Sequence, residues 1–180
     1  MRFKARIAKE RLPSLWAYVS QQGGVSKECV LLLSPAGLRL VALGVGETVM
    51  GYSVVSGGHA LFEEFRVEAK TGQIALLMQA ENLRQALEPA LREARAELVV
   101  LKLTKRGATP YLNLDIRERD AGGGGGGSIA QDVPVKLLSA TEAERYAEPN
   151  LPLPAVRLLL PSPSKVMAVL ERMRAVNIQA

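Results

Sequence analysis

The stretch AVRLLLPSPSKVMAVLERMRAVNIQA, residues 155–180, reads as a short apolar strand, a Pro/Ser turn and an amphipathic helix. The opening of the chain, MRFKARIAKERLPSLWAYVSQQGG (residues 1–24), has the same order of elements. Sliding one copy onto the other by 153 residues aligns Phe3, Ala5 and Ile7 with Val156, Leu158 and Leu160. A slide of 154 residues aligns the helix stripe Leu12, Leu15, Trp16 and Val19 with Val166, Val169, Leu170 and Met173. A repeat at this domain-sized period predicts two similarly built domains.

The sequence between the two copies predicts a series of strands interrupted by one helix. Short apolar or alternating runs indicate strands at 29–34, 38–44, 49–55, 61–69, 73–79, 98–104, 111–117 and 129–138. Helical apolar spacing covers 80–97, where we expect Pro89 to kink the helix; the first helix should end at Gly23-Gly24. Gly122–Gly127 is predicted to be a flexible hairpin tip. This order predicts an α+β domain in which a few helices cover one face of a largely antiparallel sheet.

A change of composition marks the end of the first domain. Residues 139–154 are rich in Pro, Ala and Glu and lack a strand period, which is typical of an extended linker. We therefore predict a first domain at 1–138 and a connector at 139–154. Residues 155–180 then form the first strand and helix of an incomplete second domain.

Composition and charge are typical of a globular chain with a modest basic excess. Of the 180 residues, 48% are apolar and 23% are charged, and the net charge is +5. The excess lies in residues 1–28 and 157–180 and is compatible with a polyanion partner. The single cysteine, Cys29, lies in an apolar run, which predicts no disulfide framework and fits a reducing compartment. We find neither a membrane-spanning run nor a secretory signal.

The residue types that carry catalysis are sparse and do not form known constellations. The one histidine, His59, lies in a turn without a neighbouring nucleophile, and no Cys/His cluster has zinc-ligand spacing. The glycine run lacks the Lys-Ser/Thr and the helix that a phosphate-binding loop needs. We therefore expect no enzymatic activity, no metal and no cofactor.

A basic stripe follows the polar side of the last helix. Lys165, Ala168, Arg172 and Ala175 are spaced so that they share one face. Such a stripe is either a solvated helix surface or a surface for phosphates, and the spacing does not separate the two. The other helices offer Lys9, Arg11, Arg84, Arg92 and Arg95, the last three standing beside Glu81, Glu88 and Glu93.

Seven stretches in register carry a resemblance to a known family. They are MRFKARI, LSPAGLRLV, LFEEFRVEA, AENLRQAL, LKLTKRG followed by TPYLNLDI, QDVPVKLL, and AVRLLLPSPSKVMAVLERM. In this order they resemble the Hus-type subunit of the checkpoint sliding clamp, a member of the heterotrimeric nine-one-one complex and a relative of proliferating-cell nuclear antigen. The resemblance covers essentially the whole chain.

The resemblance implies the DNA-clamp fold and a role in the DNA-damage checkpoint and repair in the nucleus. Each subunit of such a ring has two domains, and the helices line a hole through which duplex DNA passes without sequence preference. The helices at 9–22, 81–97 and 163–176 would then face DNA, with Arg11, Lys165 and Arg172 as the best-placed phosphate contacts. Expected partners are the two other clamp subunits, a clamp loader, and repair and checkpoint proteins on the outer face.

The resemblance also implies a subunit interface at the end of the first domain. QDVPVKLL would be an edge strand to which a neighbouring subunit adds its own strand, through Asp132, Val133, Pro134, Val135 and Leu137. Proline cannot donate to a strand ladder, so Pro134 independently favours an edge or a bulge. A plain protected edge fits the residues equally well.

One departure from the family concerns the second domain. Family members continue through a complete second domain, whereas this chain has only its first strand and helix. The apolar stripe of that helix would then be exposed and adhesive unless it packs elsewhere. The alternative function is therefore a clamp-fold adaptor for protein interactions that does not encircle DNA.

Overall fold

The chain forms ten strands and four α-helices within the residues that the computed structural model describes, which are 1–47, 49–58, 61–118, 127–148, 156, 159 and 161–177. The strands β1–β10 are, in order, Arg2–Ala8, Glu28–Ser34, Gly37–Leu43, Met50–Ser56, Glu64–Glu68, Ile74–Gln79, Ala96–Arg106, Thr109–Glu118, Ser128–Pro134 and Lys136–Leu137. The helices α1–α4 are Leu12–Val25, Ala80–Arg92, Ala140–Glu144 and Pro163–Asn177. Short 3-10 helices occupy Lys9–Arg11 and Val45–Glu47.

The strands build two antiparallel sheets of five strands each. The first sheet has the order β5-β1-β7-β8-β9, and the second has the order β10-β6-β2-β3-β4. A tight turn joins β2 to β3, with Ser34 opposite Gly37. Gly37 has a φ of 151°, and a Cβ there would lie 2.2 Å from the carbonyl oxygen of Val55, so only glycine fits.

Both sheets and the helices α1 and α2 share one apolar core. Alternate residues of β1 point into it, and Phe3, Ala5 and Ile7 are almost fully buried. The two helices pack antiparallel: a Cβ added to Gly23, near the end of α1, would lie 3.6 Å from the Cβ of Ala80 at the start of α2. The predicted α+β class with antiparallel sheets is confirmed.

The helices α1 and α2 do not end at the residues that the sequence predicts. α1 continues through the glycine pair to Val25, and the Ser26 N–H closes its last turn on the carbonyl of Gln22 at 3.0 Å. α2 stops at Arg92, so the prediction of a helix to residue 97 is wrong. Pro89 lies in its last turn, and Ala96 already begins β7, where strand pairing replaces the helical spacing of the alanines.

The strand predicted at 129–138 is divided between the two sheets. β9 pairs with β8 at the edge of the first sheet, and β10 pairs with β6 at the edge of the second. The chain crosses from one sheet to the other at Val135, whose N–H donates to the Pro110 carbonyl at 3.3 Å. Pro134, which has no N–H, lies at the exposed end of β9.

The start of the predicted connector is helical and packed, which corrects the expectation of an extended linker there. Ser139 caps α3 with a capping box: its hydroxyl accepts from the Glu142 N–H at 3.2 Å, and the Glu142 carboxylate accepts from the Ser139 N–H at 2.8 Å. Beyond α3, the Tyr52 hydroxyl donates to the Ala147 carbonyl at 2.9 Å. Together with Leu138, Ala143 and Tyr146, this segment covers the outer apolar residues of the second sheet, Val30, Leu32, Val41 and Ala75.

Contacts divide the chain into a first compact unit, Met1–Ala147, and a second unit, Glu148–Ala180. In the second unit α4 begins at the predicted Pro/Ser turn, with the Lys165 N–H donating to the Ser162 carbonyl at 2.9 Å. Leu158 and Leu160, predicted on the repeated strand, lie outside the described residues. Three members of the apolar stripe of α4, Val169, Leu170 and Met173, are more than half exposed at 55%, 51% and 63%. Among the helices described, none has the length and apolar content to cross a membrane.

Candidate nucleic-acid interface and subunit edge

Lys9 and Arg11 lie in the 3-10 turn that leads into α1, next to the end of α2. The Lys9 ammonium donates to the backbone carbonyl of Glu93, just beyond the last residue of α2. A cation at this position complements the partial negative charge of a helix C-terminus. Arg11 is exposed, and no carboxylate of the described residues pairs with it. Lys9 thus joins the two helices, whereas Arg11 keeps its charge available.

The cations on α2 itself are paired with neighbouring glutamates. Arg84 donates to both carboxylate oxygens of Glu81, at 2.7 and 2.6 Å, and Arg92 donates to Glu88 at 2.6 Å. The hydrogen bond from Arg84, with a second from Gln85, lowers the pKa of Glu81 to about 2. A phosphate would have to compete with these glutamates, so this surface attracts a polyanion only weakly.

Arg95 follows α2 and resembles Arg11 in its surroundings. It is exposed, and only its backbone N–H contacts an acid, the Glu93 carboxylate at 3.1 Å. Within the described part of the chain its guanidinium forms no ion pair. The described residues therefore separate the predicted cations of the first unit into a set on α2 that is paired with glutamates and a set at one end of the helix pair that has no carboxylate partner. In the second set, Lys9 is engaged by the Glu93 carbonyl, whereas Arg11 and Arg95 remain available.

The exposed side of α1 carries no charge. No Lys, Arg, Asp or Glu occurs between Leu12 and Val25, and the exposed positions include Ser14, Ala17, Gln21 and Gly24. The predicted DNA-facing segment at 9–22 therefore has its cations only in the preceding turn. In the second unit, Lys165 and Arg172 are exposed on α4 with Ala168 between them, as the predicted stripe requires.

The residues of the predicted subunit edge have three different environments. Val133 and Val135 are buried in the core at 1% and 7% exposure, and Leu137 belongs to β10 in the second sheet. Asp132 accepts from the Asn113 amide at 2.7 Å and pairs with Arg106. β9 is the last strand of the first sheet, and no described strand pairs with its outer side, which leaves its backbone groups available there.

Outward cations of the first sheet were not singled out from the sequence, although a signal was present. Arg2, Lys4 and Arg6 alternate with buried residues along β1, and Lys102 follows the same pattern in β7. This alternation places all four on the face away from the core. Sequence reasoning had attended only to helix cations.

Of the residues considered for catalysis, those that the structure describes have the surroundings of structural rather than catalytic residues. Burial raises the pKa of Cys29 to about 12, which keeps its thiol protonated and unreactive. The residues described include no group of three or more His, Cys, Asp or Glu able to hold a metal ion. His59 and residues 122–126 of the glycine run lie outside them.

The fold of the chain is shared with a solved structure. The crystal structure of PCNA from Thermococcus kodakaraensis is similar, with a TM-score of 0.53 and 17% identity, over 86% of this chain and 51% of that one. The predicted DNA-clamp fold is therefore confirmed.

The family follows from the sequence match. The model of the family described as Hus1-like protein matches residues 1–179, and the chain belongs to this family, as the resemblance predicts. The Checkpoint protein hus1 homolog of Dictyostelium discoideum is 28% identical over 98% of this chain. The human Checkpoint protein HUS1 is 27% identical, also over 98% of this chain. The chain spans 63% of the length of each of these two relatives.

Proposed function

We propose that this chain acts in a ring-shaped, nuclear checkpoint clamp that encircles duplex DNA and serves as a platform for checkpoint and repair proteins. Its family and its clamp fold support this role. The observation that carries the proposal is the arrangement of the first unit: two antiparallel sheets, a helix pair on their shared core, and a sheet edge at β9 with which no described strand pairs. The chain acts by binding and positioning, without catalysis or a cofactor.

DNA contact in this proposal is electrostatic and independent of sequence. Among the first-unit cations predicted to face DNA, Lys9, Arg11 and Arg95 have no carboxylate partner in the described residues, and Lys165 and Arg172 form the stripe on α4. Arg84 and Arg92 contribute less because they are paired with glutamates. Contacts of this kind position DNA without reading its bases.

Ring assembly in this proposal uses the outer side of β9. An added strand from a neighbouring subunit satisfies the backbone donors and acceptors of that edge. Pro134 limits the pairing at one end because it has no N–H. The partners are the two other subunits of the checkpoint clamp, and the assembled ring is opened by a clamp loader.

The test is removal of charge from the assembled clamp. We expect the pair Arg11→Ala/Arg95→Ala and the pair Lys165→Ala/Arg172→Ala each to weaken duplex binding equally for unrelated sequences. Each pair should reduce the slope of log K against log salt by about 2, because roughly 0.9 counterions are released per phosphate contact. The measurement is fluorescence anisotropy with duplexes at several salt concentrations.

Exposed cations elsewhere provide the control. Lys70 lies in the turn before β6 and Lys105 near the tip of the β7–β8 hairpin, and Lys70→Ala/Lys105→Ala removes the same number of charges. We expect this control to bind DNA like the unmodified clamp. An equal loss in the control, or a loss confined to one DNA sequence, would contradict phosphate contact through the helices.

A second function is a clamp-fold adaptor that does not encircle DNA. The uncharged exposed side of α1 and the ion pairs on α2 favour it, because together they leave little positive charge on the helix surface. If the chain is such an adaptor, alanine substitution of Arg11, Arg95, Lys165 and Arg172 should not change DNA binding. The chain should then bind one partner rather than two.

A further inference from the structure

We propose that the outer face of the first sheet binds an extended acidic peptide segment of a partner protein. The outer face is the side that is turned away from the shared core. Lys4 of β1 lies directly opposite Arg66 of β5 on one side and Lys102 of β7 on the other. These three residues form what we call the cationic row.

The cationic row has too little negative charge of its own. Like charges that lie directly opposite each other in a sheet are destabilising. The Glu64 carboxylate is shared by two members, 2.7 Å from the Lys4 ammonium and 3.1 Å from the Arg66 guanidinium. The hydrogen bond from Lys4 lowers the pKa of Glu64, so the shared carboxylate is fully ionised at neutral pH.

Lys102 has no carboxylate partner within the described residues. The residue opposite it in β8 is Asn113, whose amide donates to Asp132. Asp132 is also paired with Arg106, so the nearest acid along this line is already engaged. Lys102 therefore presents an uncompensated positive charge beside Lys4.

Arg6 extends the positive surface by one step along β1. Its Nε is buried and has no hydrogen-bond partner among the residues that the structure describes, and its guanidinium is 4.0 Å from Glu63, the outer limit for an ion pair. Arg6 lies opposite Glu64 of β5, whose carboxylate is already engaged by Lys4 and Arg66. A buried donor left without a partner costs stability.

The spacing and the surrounding acids favour a peptide over nucleic acid. Neighbouring strands are about 4.8 Å apart, so the cationic row spans roughly 10 Å, which carboxylates at alternate positions of an extended peptide can bridge. Glu63, Glu64 and Glu68 lie among these cations and interrupt the positive surface, which therefore fits a short anionic segment better than the continuous charge of a long polyanion. This face is opposite the core side on which the helices pack, so the proposal does not depend on DNA binding.

The test compares two lysines of the same strand. We expect Lys102→Glu to weaken binding of a labelled short peptide with glutamate at alternate positions by about tenfold, measured by fluorescence anisotropy with the 180-residue chain. Lys105→Glu is the matched control, because Lys105 is exposed and three residues further along β7, on the opposite face. It should change the affinity less than about twofold, and the same peptide with glutamine should not bind.

A folding measurement separates loss of binding from loss of structure. Lys102→Gln relieves repulsion from Lys4, so we expect its thermal midpoint to be equal to or above that of the unmodified chain while peptide binding falls. Equal losses for Lys102→Glu and Lys105→Glu would overturn the proposal. So would the absence of glutamate-dependent binding to the unmodified chain, or a duplex DNA probe that binds more tightly than the peptide and is lost with Lys102→Glu.

Discussion

At the scale of single residues, a buried polar pair joins α1 to the second sheet. The Gln22 side-chain amide donates to the Ser53 hydroxyl at 2.8 Å, and these residues are 3% and 6% exposed. The Gln22 Oε1 is buried without a hydrogen-bond partner in the described part of the chain, and a Cβ at Gly51 would lie only 2.6 Å from it. The site is therefore tightly packed, with one satisfied and one unsatisfied polar atom.

This pair makes a prediction about stability. Ser53→Ala should lower the free energy of unfolding by about 1–2 kcal/mol, because it leaves the Gln22 amide buried without an acceptor. Gln22→Met, which has a similar shape, should recover most of that loss when combined with Ser53→Ala. Urea denaturation of the two single variants and the double variant measures the coupling. Strictly additive effects would show that the hydrogen bond is not formed.

At the scale of elements, α3 is held by polar contacts at its N-terminus and by apolar contacts beneath it. Glu142 accepts from the Ser139 backbone and hydroxyl and from the Lys136 ammonium, the last at 2.9 Å, which together lower its pKa to about 2. Because the folded pKa lies below the ordinary value of 4.5, these contacts stabilise α3 above pH 4.5. Their contribution is lost as the pH falls from 4.5 towards 2.

The capping box predicts local opening rather than global unfolding. Ser139→Ala should increase hydrogen exchange at the amides of Ala143 and Tyr146 about fivefold, because the first turn of α3 loses its cap. Exchange at Leu31, in the middle of β2, should not change. The amides of Ala143 and Tyr146 should also open as the pH falls below 4.5, beyond the intrinsic effect of pH on exchange. Unchanged exchange at Ala143 and Tyr146 would show that apolar packing alone holds α3.

The elements differ in how far their sequence predicts them. Alternation predicts β1, and the apolar run predicts β2, because each pattern reports which faces are buried. The end of α2 was missed because Ala90 and Ala94 continue a helical period that strand pairing from Ala96 overrides. α3 was missed because it has only five residues, and its capping box Ser139/Glu142 was the available signal.

Only a part of the candidate site could be predicted from the sequence. The sequence identifies Arg11 and Arg95 as cations near helices, but only coordinates show that Arg84 and Arg92 are paired with glutamates one turn earlier. The cationic row depends on which strands are neighbours. Because β5, β1 and β7 are far apart in sequence, local patterns could not bring Arg66, Lys4 and Lys102 together.

At the scale of the whole molecule, the proposed ring and the proposed adaptor differ in the number of partners. If the chain is a ring member, it should retain two different partner subunits in a pulldown from co-expressed clamp components. Ile129→Pro is the test of the edge, because Ile129 lies in β9, is 36% exposed, and proline both blocks an added strand and removes a donor. We expect it to lose one partner and keep the other.

The matched control substitutes the opposite edge of the same sheet. Val67→Pro places proline in β5, the first strand of the order in which β9 is the last. Circular dichroism of both variants checks that each still folds. Retention of both partners by Ile129→Pro, or binding of a single partner by the unmodified chain, would exclude the edge at β9 as the ring interface.

The crossing at Val135 has a mechanical consequence for this molecule. Residues 128–137 run from the margin of one sheet to the margin of the other without an intervening loop. Separation of the two sheets would therefore require that β9 and β10 lose their pairing with neighbouring strands at the same time. The two sheets of the first unit should consequently unfold in a single cooperative step. A force applied at the edge of one sheet is transmitted through the backbone to the edge of the other.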